Sequence, residues 1–283
     1  MNDQARPMTP YLTLDVFTST PFTGNPLAVI PDARTLPEDA LQKIAAEFNY
    51  SETTFVFPPD DPANTARVRI FTPTMEIPFA GHPLIGTAVA LARAGHGPDL
   101  TLETGVGPIR AHATDTEARF TTEVALQILA HPEPSLTARA LGLPETALAN
   151  PPVLASVGLP FTLTELTTRE ALAACAPDTA AFKQGAVAYP GSLDFAQFAY
   201  WPDGATIHAR MFAPLDNIPE DPATGSACAA LGAYLTSLHG PQTLTIHQGD
   251  DMGRPSRIGL RTTETSVTIS GAAVPVMSGT LSL

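Results

Sequence analysis

From Pro37 onward, Leu41, Ile44, Ala45 and Phe48 recur at i, i+3, i+4 and i+7. That spacing predicts an amphipathic helix, opened by the proline, with one apolar stripe facing a sheet. Shorter stretches, apolar or alternating and bounded by Pro, Gly or Asp, predict strands at residues 11–17, 27–30, 53–57, 66–72, 161–166, 195–201 and 206–212. A second helix, at residues 169–175, is the expected counterpart of the first. Periodicity is weakest between Thr121 and Pro151, around "HPEPS" and "NPP", which places a junction near Thr122. The expected organisation is therefore an N-terminal half, residues 1–122, and a C-terminal half, residues 123–283, whose last strand is free to pack with the first half.

The halves repeat one phrase. "RIFTPTMEIPFAGHPLIGTAVAL" (69–91) and "RMFAPLDNIPEDPATGSACAAL" (210–231) pair Arg69 with Arg210, Phe71 with Phe212, Pro73 with Pro214, Ile77 with Ile218 and Pro78 with Pro219. A two-residue shortening of the second copy then pairs Gly86 with Gly225, Thr87 with Ser226 and Ala88 with Ala227. An Ala/Leu-rich helix follows in each, closing at His96-Gly97 or His239-Gly240, and then "LTLETG" (100–105) or "LTIHQG" (244–249). Internal similarity of this kind implies duplicated architecture: strand, turn, Gly-bearing loop, buried helix, strand. Each helix start offers unpaired backbone N–H groups and the positive end of a dipole, a site for a carboxylate. The alternative role for Gly81, Gly86 and Gly225 is to permit tight strand-to-helix turns.

Composition narrows the partners. At 283 residues and 44% hydrophobic, the chain can bury a core. Fifteen basic against 28 acidic residues leave a net charge of −13, with no basic run, which argues against nucleic acid. Apolar runs are too short to span a bilayer and residues 1–7 are polar, so a cytoplasmic protein without membrane contact is expected. Cys175 and Cys228 are too few and too isolated for a disulfide framework, and no CxxC or His/Cys spacing suggests zinc. Neither a metal nor a cofactor is expected.

Five motifs in order, "DVFTSTPFTGNPLAVI" (15–30), "SETTFV" (51–56), "FAGHPLIGTA" (79–88), "RMFAP" with "PEDPATGSA" (210–227) and "QGDDMGRPSRI" (248–258), resemble the PhzF family of phenazine-biosynthesis-like isomerases, relatives of diaminopimelate epimerase. The resemblance spans nearly the whole chain. It implies an α+β fold of two pseudo-symmetric halves, each a curved, mainly antiparallel sheet around a central helix, with a cleft between them. It also implies a homodimer and cofactor-free proton transfer on a small carboxylic acid. By position, the catalytic carboxylate falls on Glu52, the cleft histidine on His82, the cleft aspartate on Asp221, and the substrate-binding loop donors on Gly81, Gly225 and Ser226. Leu84 and Asn217 depart from residues common in the family, Thr and Gly, which leaves the substrate open.

The residues themselves bear on those roles. Glu52 lies beside Phe55, Val56 and Phe57, where partial desolvation would raise its pKa and suit it to exchanging a proton near neutrality; a bland edge-strand glutamate is the alternative. His82 stands at the mouth of the first helix. Asp221 precedes Pro222 where an N-cap is expected, so capping and substrate binding overlap there, as they do for Ser226. Racemases of the related fold place a thiol in each loop, but these loops read Ala80-Gly81-His82 and Asp221-Pro222-Ala223. The order of readings is a Glu52 isomerase acting on a small, cyclic, unsaturated amino or hydroxy acid, then an amino-acid epimerase, then a non-catalytic carboxylate binder.

Overall fold

A computed structural model describes residues 8–191 and 194–282; the polar opening segment, residues 1–7, lies outside them. The chain divides into two compact units, Met1–Phe120 with Ser270–Leu283, and Thr121–Ile269.

In the first unit, β1 (Met8–Val16) and β2 (Asn25–Ile30) form an antiparallel hairpin. Helix α1 (Glu38–Phe48) then crosses to β3 (Glu52–Phe57), which lies parallel to β2. Antiparallel to β3 comes β4 (Ala66–Phe71), followed by the short β5 (Glu76–Ile77). Helix α2 (Gly81–Arg93) crosses to β6 (Asp99–Thr104), parallel to β4, and β7 (Gly107–Ala113) and β8 (Glu117–Thr122) return antiparallel.

The second unit starts with β9 (Gln127–Ala130) and α3 (Pro134–Ala140), and then repeats this plan. Strands β10 (Val153–Ser156) and β11 (Pro160–Glu165) form the hairpin. Helices α4 (Arg169–Ala173) and α5 (Thr179–Ala188) cross to β12 (Gln197–Asp203), parallel to β11. Then come β13 (Thr206–Ala213) and β14 (Ile218–Asp221), both antiparallel to their predecessors. Helix α6 (Gly225–His239) leads to β15 (Thr243–Gln248), parallel to β13, and β16 (Ser256–Thr262) returns antiparallel. The last strand, β17 (Val267–Ser282), pairs its C-terminal part with β1 from Ala273 opposite Val16 to Ser282 opposite Met8.

The duplicated phrase thus occupies equivalent elements, but the helix starts correct its register. Gly86 lies within α2, whereas Gly225 is the first residue of α6; the positional partner of Gly225 is Gly81, the first residue of α2. Gly81 and Gly225 have helical rather than left-handed backbone, so neither serves as a positive-φ turn residue. The duplicated arginines do equivalent work. Arg69 on β4 binds Glu76 through two contacts of 2.8 and 2.6 Å, reaches Glu38 at the start of α1, and lies over the Phe71 ring. Arg210 on β13 binds Glu220 through two contacts of 2.8 Å, donates to the carbonyls of Leu172, Ala173 and Cys175 around the end of α4, and lies over Phe212. Each clamps the crossover helix of its own half, one at a carboxylate in the first turn, the other at the terminal carbonyls.

Predicted strands and observed ones agree to within two residues at every end except the start of β1, which begins three residues earlier, at Met8; among the rest, both ends of β12 lie two residues later than predicted. There Phe195 adopts φ 60 and stays outside the strand, buried against Phe182 and stacked on Tyr189. Helix α5, unassigned from sequence, buries only Ala181, Phe182 and Gly185, too sparse a stripe to stand out from its Ala-rich neighbours.

Helix α2 packs on β1, β2, β3 and β7, and every residue from Gly81 to Leu91 is buried. At Gly86 an added Cβ would lie 2.5 Å from Leu27 Cδ2 and 2.8 Å from Val16 Cγ2, both fully buried side chains. Alanine would gain about 1 kcal/mol of helix propensity. Overpacking costs about 1–3 kcal/mol and wins where the neighbours have nowhere to go. Gly86→Ala is therefore expected to lower stability by about 1–2 kcal/mol in chemical denaturation; an unchanged or raised midpoint would contradict this packing.

Candidate active site

Because β2 and β3 run parallel, their first residues emerge at the same end of the sheet, with Leu27 opposite Glu52. Asn25 opens β2, Glu52 opens β3, and the first turn of α2 presents Gly81 and His82 to them. His82 Nδ1 lies 3.4 Å from Glu52 Oε2 and 3.4 Å from Asn25 Nδ2. Asn25 and His82 are buried and the Glu52 side chain is 13% exposed. A hydrogen bond of 2.9 Å between Thr54 and Thr87 ties β3 to α2 just beyond this cluster, holding helix and strand in register.

Burial holds His82 well below the usual imidazole range, at about 3, with a backbone hydrogen bond at Pro26 opposing the shift. The imidazole is thus neutral at physiological pH and its approach to Glu52 is a polar contact rather than an ion pair. With Nδ1 bare the ring accepts from the Asn25 amide. A group with this affinity for protons is a poor acid–base catalyst at neutrality. Helix α2 starts here with Ala80 at its N-cap, without a side-chain cap and without an acidic residue in its first turn. The positive end of its dipole therefore has no counter-charge within the helix's own first turn.

In the second unit the equivalent helix start is organised by other side chains. Asp221 ends β14, and the N-cap of α6 is Thr224, which corrects the placement of Asp221 as the cap. Thr224 donates its hydroxyl to Asp221 Oδ2 at 2.5 Å and makes no side-chain cap of its own. Gln248, fully buried at the end of β15, donates to the Asp221 carbonyl and to Thr224 Oγ1 and accepts from the Thr224 backbone N–H, at 2.8, 2.9 and 3.1 Å. Gly225 and Ser226 are the first residues of α6, both buried. Asn25, Thr224 and Gln248 escaped the sequence reading as site residues. Each nevertheless lies in one of the quoted motifs, in "GNP", "ATG" and "QGDD".

Both thiols are free and buried, Cys175 beneath Arg210 and Cys228 in the second turn of α6. Burial pushes Cys175 up to about 12 and raises Cys228 also. Neither is a thiolate at neutral pH, so thiol-based proton abstraction has no residue to perform it.

The neutral state of His82 has a consequence for stability. Its folded-state pKa lies below the ordinary value of 6.5, so the unfolded chain takes up the proton first as pH falls. The stabilisation is fully present above about pH 6.5 and is lost progressively towards pH 3, by about 2 kcal/mol at pH 5. Chemical denaturation at pH 7.5 and pH 5 should show the His82→Asn variant losing about 2 kcal/mol less than the unaltered protein over this interval. Equal losses would mean that His82 is not buried in its neutral form.

Among the described residues no helix is long and apolar enough to cross a membrane. A family model described as phenazine biosynthesis-like protein matches residues 14–279. An uncharacterized isomerase of Mesorhizobium japonicum is 38% identical over 296 residues, covering 96% of this chain and 98% of its own. Trans-2,3-dihydro-3-hydroxyanthranilate isomerase of Pseudomonas fluorescens is 36% identical over 295 residues, covering 96% and 99%. A crystal structure of a PhzF-family phenazine biosynthesis protein of Bacillus anthracis superposes with a TM-score of 0.86 at 23% identity, covering 98% of this chain and all of that one. The fold is α+β of the diaminopimelate-epimerase type. The chain belongs to the phenazine biosynthesis-like (PhzF) protein family and is an isomerase of PhzF type.

Proposed function

We propose that this chain is a cofactor-independent isomerase that moves a proton within a small, cyclic, unsaturated amino or hydroxy carboxylic acid, with Glu52 as the acid–base group. The observation that carries the reading is the Glu52 carboxylate, set against a neutral, buried His82 at the start of an uncapped helix. Ionised, Glu52 takes a proton from one ring carbon. As the acid so formed, it returns the proton to another carbon on the same face, and the double bonds shift without any change in oxidation level. Backbone N–H groups at the helix start suit the substrate carboxylate, because they supply donors and positive potential. His82 offers the substrate a neutral hydrogen-bond partner and limits where the Glu52 carboxylate can point. On the other helix start we assign Asp221, Gly225 and Ser226 to polar groups of the substrate, with Gln248 holding that loop in shape. An epimerase reading lacks the pair of reactive thiols, both cysteines being buried and protonated.

The relative from Pseudomonas fluorescens makes trans-2,3-dihydro-3-hydroxyanthranilate the first compound to test. In deuterated solvent, turnover should place deuterium on the carbon that accepts the proton. Glu52→Gln keeps the shape of the side chain and removes its basicity. It is expected to lower kcat by about 100- to 10,000-fold while ligand still binds, the range for loss of a general acid–base group. Undiminished exchange in that variant would exclude Glu52; binding without exchange in the unaltered protein would identify a carboxylate binder instead.

A further inference from the structure

The sheet of the second unit carries a row of large polar side chains across four strands. Trp201 on β12 is opposite His208 on β13, His208 is opposite His247 on the parallel β15, and His247 is opposite Arg257 on β16. Residues in register on neighbouring strands project from the same face about 5 Å apart. The two imidazoles accordingly meet edge to face at 5.2 Å, with the indole 5.6 Å from His208 on the other side. Asp250, in the turn after β15, brings its carboxylate to the same place. One donor atom from each of His208, His247 and Asp250 lies within 4.8 Å of the other two, and all three residues are half-buried. His208 Nδ1 is inaccessible to solvent and has no hydrogen-bond partner among the described residues. A buried, unpaired ring nitrogen beside a second imidazole and a carboxylate is a costly arrangement that an ion would relieve.

We propose that His208, His247 and Asp250 form a binding site for a borderline divalent transition-metal ion of the Zn2+ class. Two imidazole nitrogens and one carboxylate oxygen are the donor set such ions prefer, and three protein ligands leave a position for water. A tetrahedral ion with bonds of about 2.0–2.2 Å spaces its ligands roughly 3.4 Å apart, so the donors must draw in by little more than 1 Å. Side-chain rotation of half-buried residues covers that distance. The competitor is Arg257, whose Nη1 lies 3.2 Å from Asp250 Oδ1; its side chain is 49% exposed and free to swing towards solvent when the ion takes the carboxylate. No short sequence spacing announces the site, because its donors come from strands joined by the whole of α6. The expectation that the chain binds no metal therefore rested on local patterns alone. The ion would clip β13 to β15, and Gln248, adjacent to His247, projects from the opposite face towards Asp221 and Thr224.

The test is Zn2+ titration of tag-free, chelator-treated protein by calorimetry. One saturable equivalent per chain is expected, weakened at least tenfold in His208→Gln and in His247→Gln, since even outer-sphere partners of metal ligands contribute about 10- to 100-fold. Arg257→Ala leaves every donor in place and should tighten binding by removing both the competitor and its charge. In the unaltered protein, sub-stoichiometric Cu2+ should broaden the ring-proton NMR signals of His208 and His247 before those of His96, His112, His131 and His239. This readout survives any misfolding of the variants. Absence of a saturable equivalent, affinity in both histidine variants equal to that of the unaltered protein, or first broadening at another histidine would overturn the proposal.

Discussion

A helix that is apolar on every side has no face to offer to water, and α2 imposes that constraint on everything around it. Its residues from Gly81 to Leu91 are all buried, which requires strands on several sides at once. The parallel pair β2 and β3 supplies two of them, with β1 and β7 completing the wrapping. Once the helix is enclosed, its start must emerge where the enclosing strands begin, and the groups found there are Asn25 and Glu52. The polar groups cluster at a helix end because the helix body is buried on every side.

The same enclosure sets the electrostatics. A histidine in the first turn of a solvent-exposed helix would titrate near 6.5; this one is driven to about 3 because its surroundings exclude water. With His82 neutral and no acidic residue in the first turn, the helix itself supplies no counter-charge to its positive end. Burial acts in the opposite sense on the thiols, keeping Cys175 and Cys228 protonated and inert. Desolvation thus keeps the imidazole neutral and both thiols protonated.

Duplication preserved the frame and released the details. The hairpin, crossover, hairpin and buried helix recur in both units, and Arg69 and Arg210 hold equivalent strand positions over equivalent phenylalanines. Their remaining partners differ, Glu38 at a helix beginning in one and the carbonyls ending α4 in the other. The helix starts differ more: a histidine in the first turn in one copy, a threonine fastened by Asp221 and Gln248 in the other.

The paired phrases at 69–91 and 210–231 determined the duplicated architecture, and the i, i+3, i+4, i+7 stripe at Leu41, Ile44, Ala45 and Phe48 determined α1, because periodicity is a local property of the chain. Motif order placed Glu52, His82 and Asp221 in the family's frame. Three matters were decided only in three dimensions. Twelve residues separate Arg69 from the start of α2 and fifteen separate Arg210 from that of α6, so the second copy is longer rather than shorter, a register that only helix geometry shows. The cap of α6 passed from Asp221 to Thr224 because β14 runs on through Asp221 before the chain turns. The contacts of His82 with Asn25 and Glu52, of Gln248 with Thr224, and of His208 with His247 join residues on separate strands and helices. Strand pairing sets such contacts, and neither spacing nor composition encodes which strands will be neighbours.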